Sequence, residues 1–127
     1  MLEGNHMIAV WTNWIRWQSK AEQVADGWTK LSFPFLDRHN DALQVHVKQD
    51  PQTGLYRITD HGSTVRDIKH LVDFEYRVAA QAILRGFGLD EAIGEHGEIR
   101  TDTTVDRFPQ ALNMVLLAIL AIDEMGN

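Results

Sequence analysis

The residues best equipped for chemistry crowd into two short stretches, Asp37-Arg38-His39-Asn40-Asp41 and Asp60-His61. Together they offer carboxylates, imidazoles, a guanidinium and an amide, the usual material of metal sites, acid–base pairs and polar-ligand sites. The 127-residue chain contains no cysteine, so disulfides, thiolate nucleophiles and thiolate-held metals are excluded and a cation could be held only by Asp, Glu or His. Asp41, Asp60 and His61 are the candidate ligands, although no ligand spacing on a single element supports a metal, and none is expected. A turn reading competes with the site reading. Asp and Asn side chains bond to the backbone two residues on, and Arg38 can simply pair with Asp60 across a sheet edge.

Strands must position these groups. Leu43, Val45 and Val47 alternate with Gln44, His46 and Lys48, the period of a strand with one buried face. Tyr56 and Ile58 alternate with Arg57 and Thr59 after the turn Gln49-Asp-Pro-Gln-Thr-Gly54, which predicts a hairpin. In an antiparallel hairpin the start of one strand lies beside the end of the next, which would bring Asp41 toward Asp60 and His61. Leu31 to Leu36 contains Pro34, which lacks a backbone donor, so it is expected as an edge strand completing a three-stranded antiparallel meander.

Helices surround that meander. Apolar residues at Met7, Val10, Trp11, Trp14, Trp17, Ala21, Val24 and Trp28 recur at helical spacing, predicting a long N-terminal helix that ends near Gly27 and whose tryptophans pack into the core or, on the sharper reading, stand exposed as an aromatic anchor for a partner. The six residues before Met7 are read as a vector-derived remnant or a frayed terminus. Thr64 and Asp67 can cap a helix carrying Val65, Ile68, Leu71 and Val72. A second helix is expected from Phe74 to Arg85, with Tyr76, Ala79, Ala80 and Ile83 inward, Gly86 as its stop and Phe87 folding back onto the core. Residues 89–107 hold Gly94, Gly97 and six acidic side chains, with weak strand signals at Glu98 to Val105, and read as a short hairpin or irregular excursion. Pro109 suits the first turn of a buried C-terminal helix reaching about Met125. The expected fold is therefore α+β, a single domain over residues 1–127.

Composition narrows the function classes. A chain that is 44% hydrophobic with a mean hydropathy of −0.26 can bury a core. Twelve basic against eighteen acidic residues give a net charge of −6, which argues against direct nucleic-acid binding through counterion release. The longest apolar run, Met114 to Ile122, is half of the roughly 18–20 residues that span a bilayer. No secretory signal opens the sequence, so a cytoplasmic location without membrane contact is expected. The C-terminal helix, apolar nearly all round, is either central or one half of a homodimer interface.

Named chemistries find partial matches. The element order resembles the core of the PD-(D/E)xK nucleases, in which an Asp and an acidic-x-Lys motif hold Mg²⁺ or Mn²⁺. The nearest match is Asp41 with His46-Val47-Lys48, where histidine occupies the carboxylate position. On that reading Asp41 and Asp60 hold the cation and Lys48 stabilises charge. Ser63 lacks a Gly-x-Ser-x-Gly setting, and Gly86-Phe-Gly88 lacks the lysine of a phosphate loop. His96, near Glu95 and Glu98, is a possible ligand or a solvated surface side chain.

Residues 33–68, FPFLDRHNDALQVHVKQDPQTGLYRITDHGSTVRDI, resemble a family of small bacterial and phage domains of unknown function. The resemblance implies an intracellular α+β domain that travels with prophages and other mobile elements, and it places the family's polar residues at Asp37, Asn40, Asp41, Thr59, Asp60 and Gly62. It brings no catalytic residues. The function expected first is a non-catalytic protein that occupies a host complex, such as a CRISPR or restriction system, through protein–protein contact. Its charge suits a basic nucleic-acid channel, and Glu91, Glu95 and Glu98 join Asp37 to Asp41, Asp60 and His61 as binding candidates. A metal-dependent phosphodiesterase or its degenerate relative, and a small-ligand sensor, are the alternatives.

Overall fold

A computed structural model describes residues 1–68, 74–89 and 97–126. The order is helix α1 (Gly4–Gln18), strands β1 (Lys20–Gln23), β2 (Thr29–Leu36), β3 (Ala42–Gln49) and β4 (Tyr56–Thr59), helices α2 (Ser63–Arg66) and α3 (Phe74–Gly86), strand β5 (Arg100–Thr103) and helix α4 (Phe108–Asp123). The five strands form one antiparallel sheet in sequence order. The fold is α+β, as the periodicities predict.

One face of the sheet is covered, and the other is largely open, with Thr59 buried and Lys30, Ser32 and His46 partly so. Leu43, Val45, Val47 and Ile58 point to the covered side, where Ala80 and Leu84 of α3 and Val115, Leu116, Ala118, Ile119 and Ile122 of α4 close the core. Each such side chain contributes roughly 1.5–3 kcal/mol on leaving water, so this layer supplies most of the hydrophobic stabilisation. Tyr56 meets Phe108 edge-on, and Phe87 packs against the same cluster. With its flanking turns, α4 is long and apolar enough to cross a membrane, but its inner face is seated on the sheet. Met114 and Leu117 remain exposed on its outer side.

Several expectations are corrected. The N-terminal helix stops at Gln18 rather than Gly27, because Ser19 turns extended while both its N–H and its hydroxyl donate to the Ile15 carbonyl. That local bonding competes with helix continuation. The tryptophans are not in the core: α1 buries none of its residues, and Trp11, Trp14 and Trp17 are exposed. Residues 4–6 belong to α1. The sheet has five strands, not three, and β2 is internal. Pro34 is accommodated because it lies beyond the last β1 pair, at Ser32, and within the register shift between Phe33 and Leu36, where no ladder needs its missing donor. In α3 the inward residues are Ala80, Ile83 and Leu84, while Tyr76 and Ala79 face outward. The weak strand signal at Glu98 to Val105 is, by contrast, borne out by β5, Arg100–Thr103. The expectations for Leu71, Val72, Asp90, Glu91, Gly94, Glu95 and His96 fall outside the described residues.

Candidate functional site

The register of the β3–β4 hairpin separates the two stretches that the sequence suggested would meet. Gln49 pairs with Tyr56 and His46 with Thr59, so Asp60 comes level with Val45 and not with Asp41. Four residues of strand, about 13 Å, lie between those levels. Two distinct polar regions result.

The first lies between the β2–β3 turn and the C-terminal end of α4. Asp37 Oδ1 accepts from the backbone N–H of His39 at 2.8 Å and of Asp41 at 3.0 Å, which closes the turn and holds Asn40 at φ 63°. The Arg38 backbone N–H donates to Asp123 Oδ2 at 2.8 Å, and its guanidinium pairs with Asp67 at 3.1 Å and Asp123 at 3.5 Å. His39 Nε2 lies 2.7 Å from Asp67 Oδ2. A cavity of about 480 Å³ opens here, with Asp37, His39, Asp41, Asp67 and Asp123 on its walls. Most of its charged groups are already tied to one another.

Asp60 is more completely committed. It is 4% exposed, and its carboxylate accepts from the backbone N–H groups of Gly62 at 2.7 Å, Thr64 at 3.2 Å and Ile99 at 2.9 Å. Its carboxylate, rather than a Thr64–Asp67 pair, therefore meets the first N–H groups of α2, and it binds the end of β4 to the approach to β5. Arg38, which could have paired with Asp60, pairs with Asp67 and Asp123 instead. The conditional metal set of Asp41, Asp60 and His61 is not gathered, and among the described residues no group of three or more such side chains could hold a metal. The conditional catalytic set fares similarly: Lys48 sits seven residues along β3 from Asp41, with its ammonium 5.6 Å from the centre of the Trp28 ring.

The second region is on the open face. His61, at φ 55° in the left-handed conformation, is exposed and places its ring 4.6 Å from Trp28 and 4.5 Å from His46. Its N–H donates to Thr59 Oγ1, and its carbonyl accepts from Arg66 at 2.9 Å, so the backbone fixes the ring's position. Thr59 also donates to Glu98, which pairs with Arg100. The His46 imidazole is held below its ordinary value by burial first, then by His61 and Lys30, and its buried Nδ1 has no hydrogen-bond partner among the described residues. Beside it, Arg57 grips Asp102 through two hydrogen bonds of 2.8 and 3.0 Å, which raises the guanidinium's affinity for its proton and lowers that of the carboxyl.

Sequence reasoning missed Trp28, His46 and Arg57 in this region. The alternation of His46 and Lys48 with buried valines did carry a signal, since it assigns both to the side away from the core. Trp28 carried only the general signal of an aromatic that can stand exposed, and its place on the sheet was hidden because its spacing continued the helical pattern.

No curated protein and no solved structure matches the chain. Residues 33–122 match the family model of the domain of unknown function DUF1828, a span that includes β3 to β5 and α2 to α4 and begins after α1 and β1. The chain belongs to that family.

Proposed function

We propose that the protein is a non-catalytic binding protein that docks α1 into an apolar groove on a protein partner. One observation carries this reading. None of the fifteen residues of α1 is buried, while Met7, Ile8, Val10, Trp11, Trp14 and Trp17 stay 47–83% exposed. A tryptophan presents roughly 150–250 Å², so covering the exposed half of one ring contributes about 2 kcal/mol to binding. Tryptophans dominate interface hot spots, and an amphipathic helix laid into a groove is a recurrent mode of recognition. The mobile-element setting implied by the resemblance makes a host defence complex, of the CRISPR or restriction kind, the partner class. The phosphodiesterase and sensor readings have no observation of comparable weight behind them.

The test replaces Trp11, Trp14 and Trp17 together by alanine. Denaturant unfolding is expected to change by less than about 0.5 kcal/mol, as for surface positions. Quantitative affinity capture in a bacterial host is expected to return a defined complex with the full chain and to lose it with the variant. A stability loss of the size caused by a core truncation, or a captured set unchanged by the variant, would overturn the reading. A dimeric mass that the substitutions abolish would assign α1 to a second copy instead.

A further inference from the structure

The geometry points to a second interaction surface: the open face of the sheet binds single-stranded nucleic acid, with phosphates on Lys20, Lys30 and Lys48 and a base against Trp28. The strand register sets this surface out in rows. One row reads Glu22, Lys30, His46, Thr59, Arg100 across all five strands, and the next reads Lys48, Arg57, Asp102. Lys20 stands level with Ser32 and Gln44 in a third. Alternation turns every one of these side chains away from the core, because Leu31, Val45, Val47 and Ile58 occupy the intervening positions.

Charge complementarity identifies the occupant. The face collects five cations, Lys20, Lys30, Lys48, Arg57 and Arg100, against four carboxylates, Glu22, Asp50, Glu98 and Asp102. That is a surplus of one on a chain of net −6, so the remainder carries −7. Three of the chain's four lysines lie here. Arg57 and Arg100 are held by Asp102 and Glu98, and Lys30 is shared with Glu22 at 3.1 Å. Lys20 and Lys48 engage no carboxylate among the described residues. Lys48 and Arg57 stand directly opposite one another, a like-charge cross-strand pair that costs stability and that the fold does not require.

An acidic protein would complement the same charge, but the aromatic groups favour a base. The Trp28, His61 and His46 rings form a chain of edge-on and tilted contacts, 78° and 55° between planes, at the level of the lysines, with the Lys48 ammonium over the Trp28 ring. Beside Trp28 a cleft of about 360 Å³ opens between Lys48, Arg57 and the 50–55 turn, with the carboxylates of Asp50 and Asp102 also on its wall, room enough for a nucleotide. Aromatic rings flanked by cations that track a backbone are the recurrent means of holding single strands without reading sequence. The whole-chain charge argued against this ligand only because it averages an anionic body with a cationic face.

Fluorescence anisotropy with a labelled twelve-nucleotide oligo(dT) tests the proposal on the full chain. Binding is expected at 50 mM salt, with log K falling against log salt by about two for three phosphate contacts. Lys30→Ala combined with Lys48→Ala should weaken binding at least tenfold. Trp28→Leu should weaken it about fivefold or more while Trp28→Phe retains it, with unfolding curves confirming that each variant is folded. The triple tryptophan substitution in α1 should leave oligonucleotide binding intact, so failure here and failure of the protein-docking reading are separable. No binding at 50 mM salt, affinity untouched by the lysine substitutions, or equal competition by poly-glutamate would overturn the proposal.

Discussion

The Arg38 end of the molecule and the open sheet face contain similar side chains in opposite states of commitment. At the first, Arg38, Asp67 and Asp123 answer one another, Asp60 farther along the sheet is likewise spent on the backbone, and Asp60 and Asp123 are buried. At the second, Lys30, Arg57 and Arg100 are paired, but among the described residues Lys20 and Lys48 meet no carboxylate and His46 Nδ1 no hydrogen-bond partner, while His61 is exposed. Residue type alone does not distinguish fastening from function. What distinguishes them is whether the polar groups are already satisfied within the chain.

The sharpest way to break this contrast is at Asp60. Asp60→Ala strands three backbone donors, two of them buried, and urea unfolding is expected to show a loss of at least about 3 kcal/mol. A loss below 1 kcal/mol would mean that the turn does not depend on the carboxylate. Arg38→Ala comes next. It leaves Asp123 buried at the negative end of α4 without its cation, a loss of roughly 3 kcal/mol, partly recovered by Arg38→Lys. If lysine restores nothing, the planar geometry of the guanidinium matters more than its charge.

The smallest effect is expected from pH on the open face. The His46 pKa lies below its ordinary 6.5, so the unfolded chain takes up a proton there before the folded one does. Its contribution to stability is therefore present above pH 6.5 and lost as pH falls through the folded value. His46→Gln should flatten that part of the stability–pH curve, as read by thermal unfolding between pH 7.5 and pH 5. An unchanged slope would assign the proton uptake to another group.

Much of the scaffold was legible in the sequence. Alternation from Leu43 to Lys48 and from Tyr56 to Thr59 located β3 and β4, and helical spacing with Gly86 and Pro109 located α3 and the start of α4. The first helix was overextended because Ala21, Val24 and Trp28 continue the three-and-four spacing beyond Ser19, while β1 is only Lys-Ala-Glu-Gln and too short to show a period. The juxtaposition of Asp41 with Asp60 failed on register. β4 has four residues against eight in β3, so its end reaches only the middle of its neighbour. The open face was hidden for a related reason: its members come from five strands, and only pairing reveals that they share a row.

The left-handed backbone at His61 has an evolutionary consequence. The turn is fixed by Asp60, the Thr59 hydroxyl and Gly62, none of which depends on the imidazole. Asparagine, and to a lesser degree aspartate, also tolerates that conformation. The ring is thus an ornament on a frame that does not need it, and relatives can exchange what they present at this position while inheriting the same bend.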